Sequence, residues 1–234
     1  MGARLSKIFI FLLAFQHAYG QLNQDSLQNL FGVWVDSTVG QEANQLMYNS
    51  IYLTALRGTT THQYFDQRVW QYGYVQIAGQ RYDQVPMLFD IEQEQLVIKH
   101  PDAARFDGIA INMEILETFA FGGHQFRKLD LSNGNGFFEV LYEGKKILLV
   151  AQRKKRSTSQ KIGVEFDETT SYFFVDEDRL VAMKGLKSLK DLYPDFIDDI
   201  QYVKKEKKSR LRIRKEASII RFVELLDEKM EDSQ

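Results

Sequence analysis

The stretch Asn133-Gly134-Asn135-Gly136-Phe137-Phe138-Glu139-Val140-Leu141-Tyr142-Glu143-Gly144-Lys145-Lys146-Ile147-Leu148-Leu149-Val150 decides the fold class. Asn-Gly pairs tolerate the positive φ angles of tight hairpin turns, so Asn133 to Gly136 is the strongest turn signal in the chain. The run Phe137 to Tyr142 is aromatic and β-branched, which suits a strand. Glu143-Gly144-Lys145 is a second tight turn, and Ile147 to Val150 runs back. Two strands joined this way pair antiparallel.

The same grammar repeats upstream. Val69 to Ile77 is a strand, Ala78-Gly79-Gln80 a turn, and Arg81 to Phe89 the returning strand. Val85, Met87, Phe89 and Ile91 alternate along one strand face. Pro86 lacks an N–H and predicts an edge strand or a bulge there. Glu92 to Gln95 turns into Leu96-Val97-Ile98, then Ile109 to Ile115 and Thr118 to Phe121 follow, with Gly122-Gly123 as another hairpin turn. Downstream, Ile162–Phe166, Ser171–Val175 and Arg179–Lys184 complete the series. Short strands with turns every ~8–12 residues predict a mainly antiparallel β fold: a meander forming a curved sheet, a sandwich or a barrel-like sheet. No strand–helix–strand alternation occurs, which disfavours doubly wound and TIM-barrel folds.

After Gly185 the period changes. Leu186, Leu189 and Leu192 space as a short helix, with Ser188 expected as its N-cap and Asp191 three residues on. Pro194 ends that helix and opens the next. Phe196, Ile200 and Val203 lie on one helical face; Ile219, Phe222, Val223, Leu226 and Met230 lie on one face of a last helix. Between them Arg210, Arg212 and Arg214 alternate with Leu211 and Ile213 in an extended pattern.

Composition narrows the function classes. The chain has 234 residues, 44% hydrophobic and 26% charged, enough for a real core and against wholesale disorder. Its length predicts one compact domain, or one with a small appendage. With no Cys there are no disulfides, thiolate nucleophiles or Cys-based metal sites. A net charge of −2 argues against a dedicated nucleic-acid binder.

The first residues are an address. Arg4 and Lys7 precede the apolar run Ile8 to Phe15, and Ala18-Tyr19-Gly20 places small residues where a signal peptidase cuts. The run is too short for a bilayer span, which needs about 20 apolar residues. The expected organisation is a signal peptide at 1–20 cleaved after Gly20, a polar leader at 21–45, an antiparallel β-domain at 46–185 and a helical segment at 186–234 packed on it. Export without Cys suits the periplasm or surface of a Gram-negative bacterium, and no transmembrane helix is expected in the mature chain.

Three elements resemble a family of uncharacterised exported proteins of the Bacteroidetes. They are Arg81-Tyr82-Asp83-Gln84-Val85-Pro86-Met87-Leu88-Phe89-Asp90, the run Phe137 to Gly144 with Ile147-Leu148-Leu149 and Arg153 to Arg156, and the Lys-rich end with its final amphipathic helix. The resemblance implies an exported location and this architecture, and it implies no catalytic residues.

The sequence carries few chemical motifs. His62, His100 and His124 are the histidines after residue 20, and none has helical metal spacing. No Gly-x-Ser-x-Gly elbow and no phosphate-binding glycine loop occurs. No metal, cofactor or catalytic residue is therefore assigned. The carboxylates Asp90, Glu92 and Glu94, and Asp176, Glu177 and Asp178, sit at turns and suit solvated hairpins better than a glycosidase pair. Trp70, Tyr72 and Tyr74 share one strand face; core packing is the favoured reading, and an aromatic ligand platform is the alternative.

Two basic clusters are candidate contacts for an anionic partner. One is Arg153, Lys154, Lys155 and Arg156; the other is Lys204, Lys205, Lys207, Lys208, Arg210, Arg212 and Arg214. Solvated surface charge is the simpler reading of both. The functional expectation is a non-catalytic envelope protein that binds a protein, a glycan or an anionic membrane surface. A carboxylate-based hydrolase is the first alternative and a small outer-membrane β-barrel the second.

Overall fold

The computed structural model describes residues 48–52, 61–99, 108–161, 163–206 and 215–232. The expected signal peptide, the polar leader, His100 and the alternating arginines lie outside the described residues. The chain divides into two compact units. The first comprises residues up to Leu53 together with Lys99–Asn112. In it β1 (Tyr48–Tyr52) pairs antiparallel with β5 (Gly108–Ile111).

The second unit comprises Thr54–Ile98 and Met113–Gln234. Its strands are β2 (Gln71–Ile77), β3 (Gln80–Asp90), β4 (Gln95–Ile98), β6 (Leu116–Phe121), β7 (His124–Leu131), β8 (Gly134–Glu143), β9 (Leu148–Ser159), β10 (Val164–Asp176) and β11 (Arg179–Ala182). They lie in the order β4-β3-β2-β6-β7-β8-β9-β10-β11, each pair antiparallel. The strand order has two ends and does not close. Three helices follow: α1 (Leu186–Leu192), α2 (Ile197–Glu206) behind a 3₁₀ turn at Pro194–Phe196, and α3 (Glu216–Asp232). The fold is mainly antiparallel β with a helical C-terminus, as the strand pattern predicts.

Local chemistry explains most elements. Ala78 and Gly79 both take positive φ, 49° and 78°, and close the β2–β3 hairpin with Ile77 opposite Gln80. Gly122 and Gly123 do the same between β6 and β7. Pro86 is not on an edge strand, since β3 pairs on both sides. It sits beside a bulge, where the register shifts between Gly73 and Val75, and Gln84 takes φ 58°.

Three local expectations are corrected. The β7–β8 turn is Ser132-Asn133, and Gly134 to Gly136 already belong to β8, with Leu131 opposite Gly134. Asn133 explains the shift. Its amide donates to the Leu180 carbonyl at 2.8 Å and accepts the Leu180 N–H at 2.7 Å, tying the turn to β11. The segments expected as two strands near 162–175 are one strand, β10, because β9 extends to Ser159 and pairs along it from Val164 to Val175. Helix α1 is capped at Gly185, not at Ser188. Ser188 lies inside the first turn and accepts the Lys184 N–H at 2.9 Å.

Two apolar clusters cover one face of this unit's sheet. Cross-strand register defines that face: Phe126 lies opposite Glu139, Glu139 opposite Ala151, and Ala151 opposite Tyr172. The first cluster is aromatic. Phe65, Phe89, Phe119, Phe121 and Phe126 interlock, with Phe119 stacked on Phe126 at 4.9 Å and Phe89 edge-on to both at 5.0 and 5.1 Å. The second joins Leu149 and Phe174 to Leu189, Ile200, Val203, Ile219, Phe222, Val223, Leu226 and Met230 of the helices. The apolar stripes expected at 196–203 and 219–230 are thus what docks the helical segment on the strands. Isolated helices this short are marginal in water, so the docking holds them.

A buried carboxylate fixes the last helix. Asp227 of α3 accepts the N–H groups of Lys145 and Lys146 at 3.0 Å each and the Tyr142 hydroxyl at 3.1 Å. The β8–β9 turn wraps this carboxylate so closely that a Cβ on Gly144 would fall on Asp227 Oδ2 and the Tyr142 hydroxyl. Glycine is needed there for room, not for its backbone angles.

Candidate functional site

Between the two apolar clusters lies a buried ion network. Arg153 of β9 donates through Nε to Glu139 Oε2 at 2.6 Å, through Nη2 to Glu216 Oε2 at 2.7 Å, and through Nη1 to Thr170 Oγ1 at 3.1 Å. The Tyr172 hydroxyl donates to Glu216 at 3.2 Å, and His124 Nδ1 lies 2.5 Å from Glu139 Oε1. Phe65 packs edge-on to the His124 ring at 4.9 Å. Burial disfavours the Arg153 charge, but Glu139 and Glu216 outweigh it and hold the guanidinium above its ordinary pKa. A cation with two carboxylates and a hydroxyl around it is internally satisfied. It bridges strand β8 to helix α3.

This arrangement places the first basic run. A strand sends alternate side chains to opposite faces, so Arg153 and Lys155 point inward and Lys154 and Arg156 outward. Lys155 donates to the Tyr64 carbonyl at 2.5 Å and lies 3.5 Å from Glu168. Lys154 pairs with Glu94 at 2.6 Å, and Arg156 is exposed opposite Asp167. The four residues do not make one cationic surface. Lys204 and Lys205 are exposed on α2. Lys207, Lys208, Arg210, Arg212 and Arg214 lie outside the described residues.

The turn carboxylates have structural partners. Asp90 is fully buried and its Oδ1 accepts the N–H groups of Glu92 and Gln93, both at 2.9 Å. Glu92 accepts the Ser157 hydroxyl, and Asp176 pairs with Arg179. The Asp90–Glu94 and Asp176 groups thus serve turn geometry rather than a pair flanking a bond. Among the described residues no group of three or more His, Asp or Glu side chains is placed to hold a metal ion. His62 lies beside the Tyr64 ring, and burial lowers its pKa from the ordinary value.

The other face of the sheet carries an open groove of about 620 Å³ across β2, β6 and β7. That volume is within the roughly 300–1,000 Å³ of small-ligand sites. Tyr74, Gln76, Glu117, Thr118, Gln125 and Arg127 line it, with Lys128 and Asp130 at one end. Alternation explains the placement. Val75 and Ile77 of β2 go into the core, which sends Tyr72, Tyr74 and Gln76 outward. The core packing favoured from sequence does not hold for Tyr72, which is 66% exposed, whereas Tyr74 is half-buried. Trp70 is half-buried just before β2. Arg81 lies over the Tyr74 ring at 3.6 Å, a cation–π contact that steadies the ring.

The polar groups of the groove are also held. Glu117 accepts Gln76 Nε2 at 2.8 Å and the Gly79 N–H at 2.7 Å, which leaves the Gln76 carbonyl oxygen free to accept. Thr118 donates to the Phe126 carbonyl at 2.8 Å. Arg127 forms a bidentate pair with Glu143 at 2.9 and 2.7 Å. Hydrogen bonding to Glu143 raises the Arg127 pKa, and that to Arg127 lowers the pKa of Glu143. An aromatic ring, amides and carboxylates on a fixed floor can bind hydroxyl-rich molecules.

The sequence named Trp70, Tyr72 and Tyr74 but missed Gln76, Glu117, Gln125 and Arg127. The outward alternation of Thr118 and Ala120, and of Gln125 and Arg127, was the available signal. What it lacks is the pairing of β2 with β6, which brings Gln76 opposite Thr118. Among known proteins, no family model, curated protein or solved structure matches the chain. Among the described residues no helix is long and apolar enough to cross a membrane.

Proposed function

We propose that this chain is a non-catalytic binding protein of the bacterial cell envelope, and that its ligand is a glycan held in the groove on β2, β6 and β7. The observation that carries the reading is Tyr74 in a groove lined by amides and carboxylates, with the exposed Tyr72 two residues before it on the same strand face. Sugars present apolar C–H faces to aromatic rings and hydroxyls to such polar groups, so both halves of the recognition are at hand. The internally paired network at Arg153 supports a scaffold role for the buried charges. The envelope location rests on the layout of residues 1–20.

The test is retention on immobilised polysaccharides of the mature chain and of the double variant Tyr72→Ala/Tyr74→Ala. The wild type is expected to be retained on at least one polysaccharide and the variant to lose it, with both melting alike because the two rings lie outside the core. Equal retention of both proteins overturns the reading. The location is tested by the intact mass of protein from native envelope fractions: cleavage after Gly20 is expected, and a retained N-terminus contradicts it.

A further inference from the structure

Resting on the glycan reading above, we infer that the groove selects neutral sugars and rejects uronates and other acidic sugars. The cations at the groove already have partners of their own. Three cations stand at or near it: Arg81, Arg127 and Lys128. Arg81 donates to Asp83 at 2.9 Å while lying on Tyr74. Arg127 spends both terminal nitrogens on Glu143. Lys128 Nζ donates to the carbonyls of Glu114 at 2.7 Å and Met113 at 3.3 Å. The charges of Arg81 and Arg127 are thus cancelled by Asp83 and Glu143, while Lys128 touches neutral carbonyls and keeps its charge.

The anions tell the opposite story. Glu117 and Asp130 both line the groove. Among the described residues Glu117 pairs with no cation, its partners being an amide and a backbone N–H. An incoming carboxylate thus meets two carboxylates, Glu117 and Asp130, against the single uncancelled cation Lys128, so like charge prevails at the groove. Like-charge juxtaposition disfavours the wrong partner. A neutral sugar meets acceptors for its hydroxyl protons: the Gln76 carbonyl, the Glu117 and Asp130 carboxylates, and the Gln125 amide, which has no partner among the described residues. Selectivity then resides in the Arg127–Glu143 pair, because Glu143 is what keeps Arg127 from turning to a carboxylate.

The test uses an array of neutral oligosaccharides of several linkages beside hexagalacturonate and alginate oligomers, followed by titration calorimetry on the strongest binders. Wild type is expected to bind a neutral oligosaccharide at least about tenfold tighter than any uronate. Tyr74→Ala is expected to weaken the neutral ligand by roughly tenfold. Glu143→Gln frees Arg127 and is expected to gain uronate binding that weakens with added salt. Uronate binding by wild type as tight as neutral binding overturns the inference and leaves the glycan reading standing. A Glu143→Gln variant with unchanged selectivity overturns the assignment to Arg127. No binding to any oligosaccharide overturns the glycan reading, and the inference with it.

Discussion

Replacing Asp227 by Ala probes the contact that anchors the last helix. Asp227 is 2% exposed, and its two oxygens take two backbone N–H groups and one hydroxyl. Removing the carboxylate orphans the N–H groups of Lys145 and Lys146 inside a packed turn. Each orphaned buried donor costs about 1–3 kcal/mol. Releasing a buried charge returns part of that. The net expectation is a loss of about 3 kcal/mol. For a chain of this size one kcal/mol moves Tm by roughly 2–4 °C, so Tm should fall by roughly 6–12 °C. Circular dichroism melts measure this directly. Asp227→Asn keeps one acceptor oxygen and should lose less. A double-mutant cycle sharpens the test. Gly144→Ala should be costly in the native background, where its methyl meets Asp227 Oδ2, and cheaper when Asp227 is Ala. A Tm drop under about 2 °C, or an equal Gly144→Ala cost in both backgrounds, would refute the reasoning.

Two further perturbations test the docking of the helices. Phe222 is fully buried in the helix–strand cluster, and losing such a ring costs about 3–5 kcal/mol before the charge is counted, so Phe222→Asp should be the most destabilising single change in α3. Lys204→Glu with Lys205→Glu on exposed α2 should stay within about 0.5 kcal/mol per site in urea titrations, and a Phe222→Asp variant no less stable than that control contradicts the docking. Alkaline stability is the other perturbation. Burial first, and then Asp227 for Tyr142 and Asp176 for Tyr193, push both hydroxyls up from 10.0 to about 12. Both stay protonated in the folded and unfolded chain below pH 10, so their contribution is whole there. Between pH 10 and about 12 the unfolded chain loses these protons first, and stability falls as pH rises. The double variant Tyr142→Phe/Tyr193→Phe should show a shallower fall of the urea midpoint across that range; an unchanged slope argues against the assignment.

Local features of the fold are legible along the chain. Period-two alternation, glycine turns at Ala78-Gly79 and Gly122-Gly123, and the apolar stripes at Ile200 and Val203 and at Ile219 to Met230 each depend on residues a few positions apart. These features are all present in the fold, down to which helix faces are buried. Where a long-range partner intervenes, local chemistry misleads: Leu180 draws Asn133 into a turn one step earlier, and β9 pulls the following segments into one strand.

Tertiary structure alone decided what each charge and ring does. Alternation says that Tyr74 and Val75 face opposite ways, but only the packing of Val75 against the aromatic core says which one is outside. Arg153 is one of four cations in a row by sequence; it becomes the centre of a buried network because Glu139, 14 residues before it, and Glu216, 63 residues after it, arrive on the same face. The groove likewise needs β2 beside β6, a pairing between segments some forty residues apart, as the Gln76–Glu117 contact at a separation of 41 shows. Side-chain period is a property of the backbone and can be read along the chain, whereas neighbours across a sheet are set by strand order, which minimises the exposed apolar area of the whole unit at once.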